Sequence, residues 1–141
     1  MKKHCPDTAK LILSGKISEL DKLHKFVHKF GVKNKIDGKT LFDIELASDE
    51  AITNIIKHGF KGKKGRITME IARHPGKYTV KITDNAPVFN QSIPTHPNLS
   101  SDITKRPIGG LGIYLIHQVM DKVYYSNSGD KNILVFEKTA R

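Results

Sequence analysis

Along this chain, the spacing of the hydrophobic residues is in turn that of strands and that of helices, and the order of these segments limits the possible folds. The segment "TAKLILSG" (8–15) has the short apolar run and the closing glycine of a strand. Apolar residues then recur every three or four positions over 17–31 and again over 40–58, which predicts two amphipathic helices. Gly31 and Gly59 stand where these two helices are expected to end, because glycine favours a helix C-terminus.

The second half of the chain predicts two β-hairpins separated by a long loop and a helix. "RITMEIAR" and "YTVKITD" (66–84) alternate around the turn residues "HPGK", and the chain closes with a hairpin around "GD" (123–139). Residues 85–108 contain four prolines and little periodicity, as expected of a lid or binding loop. "GGLGIYLIHQVMDKV" (109–123) predicts a helix opened by glycines. Because strands and helices segregate, we expect an α+β fold with helices on a mostly antiparallel sheet, in one domain over 1–141.

The composition narrows the classes of partner without selecting one. The chain has 24 lysines and arginines against 14 acids, a net charge of +10, which favours acidic or polyanionic partners. Few aromatics accompany the lysines, so direct nucleic-acid binding is the least favoured function. We expect no membrane span and no signal peptide, because apolar runs of the required length are absent. The single cysteine, Cys5, fits a reducing cytoplasm.

The second predicted helix contains an unusual polar row in "SDEAITNIIKHGF" (48–60). Glu50 and Asn54 are four residues apart and Lys57 follows by three, so the three side chains should share one face. This face can be solvated, with an intrahelical ion pair. It can also form part of a magnesium-nucleotide site, since an amide oxygen can bind Mg²⁺, a lysine can bind phosphate and a carboxylate can accept a proton.

Two further segments have the chemistry of a nucleotide site. "RPIGGLGIYLI" (106–116) offers a glycine-rich approach to phosphate and a helix N-terminus with free N–H groups, although a tight turn into a buried helix explains the glycines equally well. It matches neither the Walker A nor the dinucleotide pattern. Asp84, at the end of a predicted strand, can accept a hydrogen bond from the amine of adenine or can simply cap the following loop.

Taken together, these segments resemble the ATP-binding domain shared by gyrases, histidine kinases and MutL-type proteins. The chain is most similar to the small anti-sigma factors with serine kinase activity, the RsbW and SpoIIAB type. "SDEAITNIIKHGF" resembles the N box of that family, "ITDNAPVFN" its first glycine box and "RPIGGLGIYLIHQVMD" its second. The resemblance implies the Bergerat (GHKL) fold, a two-layer α/β sandwich, with an ATP lid at about 85–108.

The resemblance also assigns roles to individual residues. It implies that Glu50 is the general base, that Asn54 binds Mg²⁺ and that Lys57 meets phosphate, with His58 at the end of the box. The remaining expected ATP-binding residues are Asp84 at the adenine amine, Ala86, Arg106 as a lid cation, Gly109, Gly110, Leu111 and Gly112 around the phosphates, and Asn132. Ala86 replaces a glycine of the family pattern, and Asn132 stands where a threonine is common. Because alanine is small enough to leave room for the base, ATP binding is expected to survive these departures, with an altered affinity.

The function that the resemblance implies is that of an ATP- and Mg²⁺-dependent protein-serine kinase. Its substrate would be an anti-sigma-factor antagonist of the STAS type, and release of that antagonist would free the kinase to sequester a sigma factor. The resemblance also implies a homodimer. The alternative is a binding module that uses ATP only as a structural ligand. Neither a phosphorylated-histidine hairpin nor a second domain is recognisable, so we expect neither a complete sensor kinase nor a gyrase.

Overall fold

The computed structural model describes residues 7–60, 64–87 and 110–140, and the side chains of 110–113 are outside this description. The strands are β1 (Asp7–Leu13), β2 (Ile67–His74), β3 (Lys77–Asp84), β4 (Lys122–Ser128) and β5 (Lys131–Thr139). The helices are α1 (Leu20–Lys33), preceded by a 3₁₀ turn (Ile17–Glu19), α2 (Gly38–Asn54), continued by a π-helical turn (Ile55–Phe60), and α3 (Gly110–Val119).

The five strands form one antiparallel sheet in the order β1-β2-β3-β5-β4, with β3 in the centre. Alternate residues of β2, β3 and β5 are buried, because one face of the sheet is covered and the other is not. Helix α2 packs against both α1 and α3. The predicted α+β fold is therefore confirmed. In the described part of the chain, no helix is long and apolar enough to cross a membrane.

Helix α1 ends two residues beyond Gly31, near which its end was predicted, but Gly31 itself does not form the helix end. The helix continues to Lys33, and Lys35 supplies the left-handed residue, with φ of 53°. The N–H groups of Ile36 and Lys35 donate to the carbonyls of Gly31 (3.0 Å) and Val32 (3.2 Å), which is the Schellman arrangement. Gly31 is instead a contact residue, because a Cβ there would lie 2.5 Å from Leu41 of α2.

The prediction that Gly59 closes the second helix was also wrong. The chain stays helical through Phe60, and Gly59 lies inside the π-helical turn with a φ that is not positive. A Cβ at Gly59 would stand 3.0 Å from the Cβ of Ala86, just beyond β3. Gly59 therefore allows the end of this helix to approach the end of the central strand closely.

A buried ion pair joins the helices to the sheet at the end of the covered face that lies away from Gly59 and Ala86. The Asp43 side chain is only 2% exposed, and its carboxylate accepts hydrogen bonds from Lys39 (2.7 and 2.9 Å) and lies 2.9 Å from the Nζ of Lys138 in β5. Lys138 also donates to the carbonyl of Val119, the last residue of α3 (2.6 Å). Burial raises the pKa of Asp43, but the two lysines outweigh it, and the pKa is lowered overall.

Candidate functional site

The structure places Asp84 and Asn132 side by side at one end of the sheet. Asp84 is the last residue of the central strand β3, and Asn132 is its direct partner in β5. Both continue the rows of buried residues that face the helices, and their exposed fractions are 6% and 3%. A carboxylate and an amide thus replace apolar side chains at the edge of the core, where burial must be compensated by hydrogen bonds.

The hydrogen bonds that described residues make to Asp84 all reach one of its two oxygens. Oδ1 accepts from the Nδ2 of Asn132 (2.9 Å) and from the backbone N–H of Ala86 (2.9 Å). Asn132 Nδ2 also donates to the carbonyl of Ala86 (3.1 Å). Across residues 7–60, 64–87 and 110–140, no donor contacts Oδ2. One oxygen therefore fixes the carboxylate, and the other remains able to accept a hydrogen bond from a ligand.

The Asp84 carboxylate is buried and has no ionic partner among the described residues. Burial raises the pKa of Asp84, and the hydrogen bonds from Asn132 and Ala86 oppose this effect only in part. No lysine, arginine or histidine of the described segments forms an ion pair with it. A buried carboxylate without a nearby cation is costly to ionise, and such groups concentrate at functional sites.

Two residues that the sequence analysis missed complete this cluster. Asn127 of β4 is the direct partner of Asn132, and Tyr125 lies two residues earlier on the same strand face. The Tyr125 hydroxyl donates to the Oδ1 of Asn132 (2.7 Å), and Asn127 Nδ2 donates to both of these oxygens (3.0 Å each). The signal was present in the sequence, because a two-residue turn at Gly129–Asp130 pairs residue 127 with residue 132.

The predicted row on the second helix is only partly preserved. Glu50 and Asn54 are half-buried on α2, and no side-chain hydrogen bond to either is found in the described segments. Lys57 is exposed and His58 is half-buried, and both lie in the π-helical turn. The prediction that Lys57 continues the Glu50–Asn54 row at α-helical spacing was wrong, because a π turn pairs residues five apart.

The helix end and the strand end meet at the contact of Gly59 with Ala86. This contact brings the helix that contains Glu50 and Asn54 to the residue that donates to Asp84. The π-helical turn that makes it possible is of a kind often found at functional sites. Two of the three predicted motifs are therefore adjacent in the fold.

The third motif is described only in part. Helix α3 begins at Gly110, so Gly110, Leu111 and Gly112 form its first turn, and this helix packs against α2. The N–H groups of a first turn lack partners within the helix, which is what the predicted phosphate contact requires. Arg106, Gly109 and most of the predicted lid, 88–108, lie outside the described residues.

Comparison with known proteins assigns this fold and site to a class. The profile of the family described as "Histidine kinase-like ATPase domain" matches residues 13–138. The chain therefore belongs to the histidine kinase-like ATPase domain family. The predicted resemblance is thereby confirmed, and the three motifs on which it was based lie within the matched range.

Among curated proteins, the chain is similar to serine-protein kinases named RsbW. It is 40% identical over 91 residues to RsbW of Listeria monocytogenes, which covers 59% of this chain and 57% of the relative. It is 31% identical over 97 residues to RsbW of Bacillus mycoides, which covers 66% of this chain and 61% of the relative. The matches thus span less than two thirds of the length of these relatives.

Solved structures support the same fold. The RsbU and RsbW domains of a Mycobacterium tuberculosis protein superpose with a TM-score of 0.68 over 96% of this chain and 33% of that chain, at 13% identity. The histidine kinase AdeS of Acinetobacter baumannii gives 0.51 over 94% of this chain and 68% of that chain, at 17% identity. At these identities the likeness concerns the fold alone.

Proposed function

We propose that this chain binds Mg²⁺-ATP and transfers the γ-phosphate to a serine of a partner protein. The observation that carries the proposal is the buried Asp84 carboxylate, which has one oxygen fixed by Asn132 and Ala86 and the other without a described donor. An oxygen of this kind, at the end of a central strand and beside a helix with acidic and amide side chains, suits the exocyclic amine of adenine.

The residues of α2 and α3 have the chemistry that the rest of the nucleotide would need. Asn54 offers an amide oxygen to Mg²⁺, and the first turn of α3, Gly110–Gly112, offers N–H groups to phosphate oxygens. Lys57 is exposed and can reach a phosphate as a point charge. Bound Mg²⁺ would neutralise charge on the phosphates during transfer.

Glu50 is the residue of this site that can act as general base. Its side chain is half-buried and is engaged by no hydrogen bond in the described part of the chain, so its oxygens can accept a proton. In the proposed reaction, Glu50 takes the proton of the seryl hydroxyl as the seryl oxygen bonds to the γ-phosphorus. The bond to the bridging oxygen then breaks, and ADP leaves.

The similarity to proteins named RsbW supports a place for this reaction in partner switching. We propose that the substrate serine belongs to a STAS-type anti-sigma-factor antagonist and that the chain also sequesters a sigma factor in the cytoplasm. The net charge of +10 would favour an acidic face on either partner.

The test is phosphorylation of a purified STAS-type antagonist by the purified chain with radiolabelled ATP and Mg²⁺. Glu50→Gln should abolish phosphoserine formation while ATP still binds, and Glu45→Gln, a half-buried acid on the same helix, should leave the reaction intact. Phosphorylation at the wild-type rate by Glu50→Gln would remove Glu50 from the base role. ATP binding by the wild-type chain without transfer to any antagonist would favour the non-catalytic binding module.

A further inference from the structure

We propose that Tyr125, assisted by Asn127, is a positioning residue that makes the site select a 6-amino purine over a 6-oxo purine. It would act through Asn132, by fixing the direction of the hydrogen bond that Asn132 donates to Asp84. This inference rests on the proposed binding of ATP, and it goes beyond it by naming the residues that set the base preference.

The first argument is that every hydrogen-bonding position of the Asn132 amide is used. Its Nδ2 donates twice, to Asp84 Oδ1 (2.9 Å) and to the carbonyl of Ala86 (3.1 Å). Its Oδ1 accepts twice, from the Tyr125 hydroxyl (2.7 Å) and from Asn127 Nδ2 (3.0 Å). A side-chain amide has two donor hydrogens and two acceptor lone pairs, so this side chain is saturated.

The second argument is that the opposite orientation of the amide is unfavourable on both sides. Turning Asn132 over would place its oxygen against the Asp84 carboxylate and the Ala86 carbonyl, which are both acceptors. It would also point the amide hydrogens at the amide of Asn127, which is a donor. Tyr125 and Asn127 therefore hold Asn132 as a donor towards Asp84.

The third argument concerns the protonation of the phenol. Burial raises the pKa of Tyr125, the hydrogen bond from Asn127 lowers it, and the negative charge of Asp84 raises it further, with a net rise above its ordinary value. The hydroxyl therefore remains a donor at neutral pH. Tyr125 is half-buried on β4, next to the strand that contains Asn132, so its position is set by the sheet.

The consequence for a ligand is a fixed hydrogen-bond polarity at the free oxygen of Asp84. Because Oδ1 already accepts two hydrogen bonds, Oδ2 is the oxygen that faces a ligand, and in the ionised carboxylate it can only accept. The 6-amino group of adenine can donate to Oδ2, whereas the 6-oxo group of hypoxanthine or guanine presents a second acceptor. A site of this polarity rejects the 6-oxo base because one acceptor would face another.

The experiment compares the binding of ATP, inosine triphosphate and purine riboside triphosphate, which has no substituent at position 6. Tyr125→Phe should lower the affinity for ATP about three- to tenfold, as expected for the loss of one net hydrogen bond. The affinity for purine riboside triphosphate should not change. The ratio of ATP to inosine triphosphate affinity should fall by the same factor. Tyr124→Phe removes a hydroxyl from the adjacent, 50% exposed tyrosine and should change neither affinity.

Asn127→Ala provides a second variant whose side chain is exposed, so the fold is not at risk. It should shift the same ratio in the same direction by a smaller factor. The positioning role would be overturned if the variants lost affinity equally for all three nucleotides, or if neither variant lost affinity. In both cases, ATP binding by the wild-type chain would leave the proposed function standing. Failure of the wild-type chain to bind ATP at all would overturn both.

Discussion

The covered face of the sheet has a buried aspartate near each end, and the two have opposite surroundings. Asp43 lies against two lysines, one of them mostly buried, and its pKa is lowered. Asp84 accepts hydrogen bonds only from an amide and a backbone N–H among the described residues, and its pKa is raised. Both side chains are almost inaccessible to solvent, and the two lysines beside Asp43 have no counterpart among the described residues at Asp84.

This difference separates a structural ion pair from the proposed binding site. The lysines at Asp43 contact both of its oxygens and connect α2, β5 and the end of α3, so neither oxygen is left without a cationic partner. At Asp84 the described residues fix the carboxylate but do not neutralise it, and a ligand that donates a hydrogen bond would be stabilised there. Four predictions test this contrast.

The largest effect is expected at Asp43. Replacing Asp43 with Asn leaves the Lys138 ammonium buried without its counter-charge, and removal of one partner of such a pair costs about 3 kcal/mol of unfolding free energy. Urea denaturation measures this loss. The control is Asp21→Asn, which breaks an exposed i, i+4 pair with Lys25 and should change the unfolding free energy by at most about 0.5 kcal/mol.

A second variant tests whether the cost at Asp43 arises from the unpaired lysine. Adding Lys138→Met to Asp43→Asn should recover part of the lost stability, since the buried ammonium is then absent. The comparison also needs the stability cost of Lys138→Met in the wild-type chain. If Lys138→Met costs the same in the Asp43→Asn variant as in the wild type, the two residues are not coupled and the ion pair does not explain the effect.

The next largest effect is expected at Asp84, and it should appear in binding. Asp84→Asn keeps an oxygen to accept from Asn132 and Ala86 but places an N–H₂ group where the free oxygen was. ATP affinity should fall about tenfold or more, because a charge-assisted hydrogen bond contributes about 1.5–3 kcal/mol. Titration calorimetry measures it, and the unfolding free energy should stay equal to or above that of the wild type. A loss of stability like that of Asp43→Asn would show that Asp84 is structural.

The pH dependence of stability should have opposite signs at the two aspartates. The lowered pKa of Asp43 means that its contribution is present above the unfolded-state pKa, about 4, and is lost as pH falls through its folded-state pKa. The raised pKa of Asp84 means that its contribution is present below about pH 4 and is lost as pH rises through its folded-state pKa.

Urea denaturation between pH 3 and pH 8 distinguishes the two. As pH falls from 7 towards about 4, any stability advantage of Asp84→Asn over the wild type should shrink, while the deficit of Asp43→Asn should stay constant. The deficit of Asp43→Asn should decrease only below about pH 4. Parallel curves for the two variants would contradict the assignment of opposite pKa shifts.

The same two regions show what the sequence could predict. Local patterns were sufficient for the strands and the helix positions, because alternation and three- to four-residue spacing reflect which side of an element is buried. Asp84 and Asn132 were each expected at the site. Their direct contact could not be predicted, because β3 and β5 are neighbours only through the order of strands in the sheet.

Other features depended on tertiary packing and were missed. Asp43 stands in a predicted helix, and its buried charge is compensated by Lys138, nearly a hundred residues later in the chain. Gly31 and Gly59 were interpreted as helix ends from the ordinary preference of glycine. Their actual role is to leave room for Leu41 and Ala86, which is a property of packed helices and strands and not of local sequence.

The smallest effect is expected at Gly59, where the helix end meets the Asp84 region. In a helix interior, alanine ordinarily raises the free energy of unfolding by as much as about 1 kcal/mol relative to glycine. At Gly59, however, the Cβ of alanine would lie 3.0 Å from the Cβ of Ala86. The gain and the crowding should roughly cancel in unfolding free energy. ATP affinity should still fall severalfold, because a displaced Ala86 weakens its hydrogen bond to Asp84.

Gly38→Ala, at a helical glycine with no atom within 4 Å of the added Cβ, should leave ATP affinity unchanged. A normal ATP affinity in Gly59→Ala would mean that the contact between helix and strand does not position the Asp84 end.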